Sequence, residues 1–171
     1  AQAYVNGNNF NKAIEYIESL PSRNQYINQA YQKAAYLKGS ELFNKNEYEA
    51  AVQYFSKSLE YPIDKEVVAM ASFWSAEAYS IGKHYEDAIA NYVRVIGLEN
   101  EAGQELLIKS RYGLGYAYFN QQEYDKALVN FSQFVSKGNK NTPNYVDGLI
   151  RLADCYYGDK RYDDALTYYN R

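Results

Sequence analysis

The segment YFNQQEYDKALVNF, Tyr118 to Phe131, places aromatics at its start, middle and end, with one alanine, Ala127, between the last two. Tyr124, Ala127 and Phe131 stand at i, i+3 and i+7, which is one face of an α-helix. The polar run NQQE immediately before Tyr124 interrupts any helix arriving from upstream. The segment therefore predicts the end of one helix, a tight turn and the start of a second.

The same pattern recurs four times. YVNGNNFNKAIEYI begins at Tyr4, LFNKNEYEAAVQYF at Leu42, YSIGKHYEDAIANY at Tyr79 and YYGDKRYDDALTYY at Tyr156. The shared alanine is Ala13, Ala51, Ala88, Ala127 and Ala165, giving separations of 38, 37, 39 and 38 residues. An aromatic stands three residues before it (Phe10, Tyr48, Tyr85, Tyr124, Tyr162) and an aliphatic just after it (Ile14, Val52, Ile89, Leu128, Leu166). Four residues after it come Ile17, Phe55, Tyr92, Phe131 and Tyr169. An alanine held at one phase marks a spot where two helices approach too closely for a larger side chain. Fixed-period self-similarity of this length is the signature of a stacked repeat.

Each copy reads as a longer helix A, a turn and a helix B. Gly39, Ala76, Gly115 and Ala153 fall three residues before the start of a quoted copy, and small residues there allow helix A to pack closely on helix B. Asp64 is placed to cap one helix A, and Thr142 followed by Pro143 another. Helix A is expected to run about 17–20 residues. Asn6, Asn44 and Asn120, or Gly82 and Gly158, are expected to end it in the left-handed conformation. The expected fold is an all-α superhelix of about five helix-turn-helix units, approximately 1–22, 23–62, 63–99, 100–140 and 141–171, forming one domain. The first and last units read as incomplete. Neither end shows the polar outer face of a capping repeat, so the chain reads as a segment of a longer array.

Composition agrees with this reading. Hydrophobic residues make up 47% and charged residues 23% of the 171, with only 3 prolines and 10 glycines, a profile of long helices rather than a turn-rich β fold. A net charge of −3 with both signs interspersed gives no electrostatic footprint for nucleic acid or an anionic membrane. No stretch approaches the roughly 20 apolar residues of a membrane span. One cysteine excludes an internal disulfide framework.

The repeated pattern resembles the tetratricopeptide repeat: a small residue, a tyrosine, an aromatic, an alanine and a second aromatic, here Gly115, Tyr118, Tyr124, Ala127 and Phe131. The resemblance covers essentially the whole chain. The period is longer than the family's usual 34 residues, with the surplus in PSRNQYINQ, PIDKEV, NEAGQE and NKNTPNY between units. The family's early tryptophan is absent, its phase being held by Ala35, Ser72, Arg111 and Leu149. The long period is similar to tetratricopeptide domains of bacterial envelope proteins, including outer-membrane assembly lipoproteins, which points to the cell envelope ahead of the cytoplasm.

The residues that could do chemistry have structural readings. His84 has no second ligand at a metal-like spacing and no nucleophile near it, and reads as a turn residue. Cys155 lacks the histidine partner a catalytic thiol needs and reads as a buried structural residue. Asp154, Asp163 and Asp164 lie beside Arg151 and Arg161 and read as solvated helix surface. Gly113–Gly115 lies inside a helix and is not a phosphate loop. No catalytic residue, metal site or cofactor is expected.

What the resemblance implies is a contact surface lined by the A helices. Its phases select Tyr36 and Phe43; Phe73 and Glu77; Lys109, Tyr112, Tyr116 and Phe119; and Asp147, Ile150, Asp154 and Tyr157, bordered by Trp74 and Asn120. Arg151, with Lys33 and Lys109, is basic at phases where some members hold a peptide's terminal carboxylate, but no complete clamp is present. The expected binding groove is Tyr36, Phe43, Phe73, Trp74, Glu77, Lys109, Tyr112, Tyr116, Phe119, Asn120, Arg151 and Tyr157. Aromatics of this kind make good anchors for a protein or peptide partner. The alternatives are an RNA-reading helical repeat, which the acidic residues of the face oppose, and a self-assembly module whose array ends pair and which serves a catalytic or envelope domain.

Overall fold

The computed structural model describes residues 2–171; the first expected unit begins at Ala1, outside the described residues. The A helices are α1 (Gln2–Asn6), α3 (Gln25–Asn44), α5 (Lys65–Ile81), α8 (Gln104–Asn120) and α10 (Pro143–Gly158). The B helices are α2 (Phe10–Glu18), α4 (Tyr48–Leu59), α6 (Tyr85–Gly97), α9 (Tyr124–Lys137) and α11 (Tyr162–Tyr169). A four-residue helix, α7 (Glu99–Ala102), occupies the surplus between α6 and α8. The chain is an all-helical solenoid of tetratricopeptide-like hairpins, and among the described residues there is no strand. No helix among them is long and apolar enough to cross a membrane.

The turn between A and B is one structure used five times. Every A helix ends seven residues before the marker alanine and every B helix starts three before it. Five residues before the alanine stands a left-handed residue: Asn8, Asn46, Lys83, Gln122 and Lys160, with φ between 56° and 62°. The next residue turns its N–H back to the A helix, as in Glu47 to the Leu42 carbonyl (2.9 Å), His84 to Tyr79 (2.8 Å), Glu123 to Tyr118 (2.9 Å) and Arg161 to Tyr156 (2.8 Å). This is the Schellman closure of a helix C-terminus. The same residue's carbonyl accepts from the marker alanine's N–H, so one residue closes helix A and opens helix B. The expected turn residues were displaced. Asn44, Asn120 and Gly158 are the last helical residues, and Gly82 has φ −77°; the left-handed position falls one or two residues later. Three of the five residues there are lysine or glutamine, which no propensity marks for that conformation.

Helix starts follow side-chain chemistry where it is present. Asp64 Oδ1 accepts from the N–H groups of Glu66 (3.0 Å) and Val67 (3.3 Å), and Asn24 caps α3 through Ile27 (2.9 Å). Thr142 holds the cap position before Pro143, but its hydroxyl donates to the Asn139 carbonyl (2.8 Å) instead of capping. Fully buried Gln32 ties two units together: its Nε2 donates to the Asp64 carbonyl and its Oε1 accepts from the Asp64 N–H, both at 2.9 Å.

The core is a strip of clusters, each shared by neighbouring helices, as a quasi-one-dimensional fold requires. All five marker alanines are buried. In two units the ring four residues beyond the alanine lies on a glycine of helix A: a Cβ added at Gly39 would stand 2.6 Å from Phe55 Cδ1, and one at Gly115 would stand 2.9 Å from Phe131 Cδ1.

A left-handed L-residue with a Cβ costs roughly 1–2 kcal/mol relative to glycine's free access to that region. Offset by the greater freedom glycine gives the unfolded chain, Lys83→Gly and Gln122→Gly should each stabilise the fold by about 0.5–1 kcal/mol. Asn46→Gly should change stability less. The urea midpoint measures all three, and a loss of stability in both of the first two would contradict the turn.

Candidate functional site

The A helices carry their exposed chemistry in helical stripes. On α8, Tyr112, Tyr116 and Phe119 stand at i, i+4 and i+7, and on α10 so do Asp147, Arg151 and Asp154. The two stripes meet. The hydroxyls of Tyr112 (2.7 Å) and Tyr116 both donate to Asp147 Oδ2. Burial, followed by these bonds to the carboxylate, pushes both phenols above their ordinary range. Arg151 Nη1 lies 2.6 Å from Asp154 Oδ2 and its Nε 3.6 Å from Asp147 Oδ1. Its guanidinium lies 5.9 Å from the ring centroids of Tyr116 and Phe119. Tyr169 on α11 donates to the second oxygen of Asp154 at 2.5 Å. The result is a cross-braced patch of four rings, two carboxylates and one guanidinium.

Beside this patch, α5, α8, α9 and α10 enclose a cavity of about 260 Å³. Phe73, Trp74 and Glu77 line it from α5, Lys109 and Tyr112 from α8, Phe134 from α9 and Asn144 from α10. Phe73 is buried and packs edge-on against Trp74 (5.1 Å between centroids) and Tyr92 (6.2 Å). The Tyr92 hydroxyl reaches through the wall to Glu77 Oε1 at 2.5 Å. Gly113 permits that path, since a Cβ there would stand 2.3 Å from Tyr92 Cζ. Burial raises the Glu77 carboxyl above its ordinary value, against the opposing pull of Tyr92 and Lys109. It raises the Tyr92 phenol as well.

Five of the expected groove residues, Phe73, Trp74, Glu77, Lys109 and Tyr112, thus line one cavity, and Tyr112 links it to Tyr116, Phe119 and Arg151. Phe43 extends the ring series to Trp74 (5.0 Å). Tyr36 packs on Phe55 (6.0 Å) and directs its hydroxyl to Met70 Sδ (3.6 Å). Two residues stand apart. The Asn120 amide folds back onto the Tyr116 carbonyl (2.8 Å), and exposed Tyr157 pairs with Tyr162 (5.3 Å) at the C-terminal edge. Phe134, Asn144 and Tyr92 belong to the cavity or its wall but were not among the expected residues. Phe134 had a signal, because it continues the Ala127–Phe131 face at i+7. Tyr92 had none, since its phase marks it only as core.

His84 forms part of the A–B turn and borders a second cavity of about 330 Å³ with Tyr48, Val52, Tyr79 and Ile81. Cys155 is fully buried, and desolvation pushes its thiol up to about 12.

A tetratricopeptide repeat family model matches residues 111–171 and another matches residues 32–62, together just over half of the chain. Among solved structures, MamA (residues 41 to the end) from Desulfovibrio magneticus RS-1 is 19% identical, with 99% of this chain and 86% of that one covered and a TM-score of 0.67. RapI in its apo form is 18% identical, with 99% and 75% covered and a TM-score of 0.62. A kinesin light chain of Podospora anserina with nearly identical TPR-like repeats is 15% identical, with 99% and 88% covered and a TM-score of 0.60. At these identities the likeness is one of fold. No curated protein sequence matches the chain.

Glu77 makes the cavity's electrostatics measurable. Its folded pKa lies above its unfolded value, so the folded chain holds the proton across the interval between them. Stability therefore falls as pH rises through that interval, and the whole cost is present above it. Glu77→Gln keeps an acceptor for Tyr92 and removes the charge. The melting temperature of the variant minus that of the wild type should be larger near pH 7 than near pH 4. An equal difference at both would contradict the desolvated carboxylate.

Proposed function

Because the chain belongs to the tetratricopeptide repeat family, we propose that it is a non-enzymatic scaffold that binds a protein or peptide segment along the face of its A helices. The observation that carries this reading is a series of rings on three A helices: Phe43 packs on Trp74 and Trp74 on Phe73, these last two share an open cavity with Tyr112, Tyr112 packs on Tyr116, and the Arg151 guanidinium lies by the Tyr116 and Phe119 rings. Rings already held against one another lose little entropy when a partner covers them. Glu77, Asp147 and Asp154 offset Lys109 and Arg151 on the same face, a balance that suits a protein surface better than a phosphate backbone. The thiol of Cys155, a group that would need to reach a substrate to act as a nucleophile, is fully buried.

A second reading has its own observation. Ile17, Phe55, Tyr92 and Phe131 are at most 1% exposed, whereas Tyr169 at the same phase of the last unit is 49% exposed and neighbouring Leu166 60%. In the earlier units an A helix covers this position. Association of two copies through the α11 face would cover it here.

Each reading has a test. An affinity column bearing the wild-type chain should retain cellular proteins that Tyr112→Ala/Phe119→Ala loses, with the variant's unfolding midpoint showing that it is folded. Retention of every partner would remove the A-helix face as the contact surface. For self-association, sedimentation velocity of the wild type should give a dimer that Leu166→Glu converts to monomer. A monomeric wild type at all concentrations would end that reading.

A further inference from the structure

The cavity beside α5 has a chemistry more specific than an apolar groove. Phe73, Trp74, Tyr112 and Phe134 supply four ring walls. Aromatic faces carry the negative side of the ring quadrupole and attract cations, most strongly at tryptophan. Half-buried Glu77 adds a carboxylate, and its one hydrogen bond among the described residues is the Tyr92 hydroxyl on Oε1. A carboxylate withdrawn from water with no cation in contact with it is unfavourable, in accord with its raised pKa, which Lys109 at the rim opposes only in part. The one cation in the lining is Lys109, and its Nζ sits 2.8 Å from Glu105 Oε1, one turn back on its own helix, with more than half of the side chain exposed. The cavity therefore has aromatic walls, an acid and no cation seated in it.

Size and charge both choose the occupant. The open cavity of about 260 Å³ has room for one long side chain. An acidic side chain would face Glu77. A neutral apolar one would complete the desolvation of the carboxylate without pairing it.

We infer that this cavity seats a single lysine or arginine side chain of the partner segment, with its alkyl stem against Phe73, Trp74 and Tyr112 and its charge against Glu77. The inference rests on the reading of the A-helix face as the contact surface and adds the chemical identity of one anchor. Lys109, held by Glu105 at the rim, is a like charge that weakens binding of the incoming cation.

Trp74 is the only tryptophan of the chain, so its fluorescence reports the cavity directly. The probes are Nα-acetyl-lysine amide and the uncharged Nα-acetyl-norleucine amide, which keeps the alkyl stem and lacks the ammonium, titrated into the folded chain. The lysine probe should give a saturable change with at least tenfold tighter binding than norleucine. Glu77→Gln, which keeps the acceptor for Tyr92, should erase that preference, and Lys109→Met should tighten lysine binding several-fold. Equal binding of the two probes, a preference that survives Glu77→Gln, or no saturable change with the lysine probe would overturn the cation site. The two readings separate on the affinity column. Partners lost by Tyr112→Ala/Phe119→Ala but kept by Glu77→Gln leave the contact face standing and remove the cationic anchor. A lysine preference in solution with all partners kept by Tyr112→Ala/Phe119→Ala leaves the cation site standing and removes the face.

Discussion

The hairpins depend on how closely helix A and helix B approach, and two of them are held by a ring over a missing side chain. Phe55 covers Gly39 and Phe131 covers Gly115 at distances that leave no room for a Cβ. This contact brings helix A and helix B within one ring's thickness, and the buried marker alanine is the matching concession on the B side. The pairing is short-range in sequence, so a unit can form its hairpin before its neighbours are in place. Burying one large ring is worth only a few kcal/mol, so a single hairpin cannot offset its own ordering entropy. Stability comes from stacking, where the face left open by one hairpin is covered by the next A helix.

The turn works in concert with that contact. One residue closes helix A with its N–H and opens helix B with its carbonyl, which leaves no slack in the register between the two helices. A register that cannot slip keeps Phe55 over Gly39 and Phe131 over Gly115. It also fixes the phase of the opposite face of helix A, so the exposed stripes of α5, α8 and α10 line up across units without any contact designed for that purpose.

On that face the solenoid produces two different surfaces. Between α8 and α10 most groups pair with one another: two phenols on Asp147, and Arg151 between two carboxylates and two rings, with its buried Nε left without a hydrogen-bond partner among the described residues. Such a network is rigid and offers rings and edges rather than free charge. Between α5 and α8 the balance is incomplete, with Glu77 drawn into a ring-walled cavity and the nearest ammonium held away by Glu105. A partner would meet a preformed aromatic track with one polar demand in it, a division between area and specificity common at protein interfaces.

Much of this was legible in the sequence. Five in-phase alanines with their flanking rings determined the hairpin, the period and the helical class, because local packing repeats whenever the residues that cause it repeat; the A-helix face came from the resemblance to the tetratricopeptide repeat. Position-by-position reading of that face found Phe73, Trp74, Glu77, Lys109 and Tyr112, which line one cavity. The rest depended on distances between residues far apart in the chain. The left-handed turn position is occupied by lysine or glutamine in three units, and only hydrogen bonds across the turn reveal it. Phe134 and Asn144 reach the cavity from α9 and α10, and Tyr92 reaches Glu77 only because Gly113 on the next A helix steps aside. A repeat phase records what a residue does within its own hairpin. Which group it meets in the next hairpin is set by how the hairpins stack, and only the tertiary structure decided that.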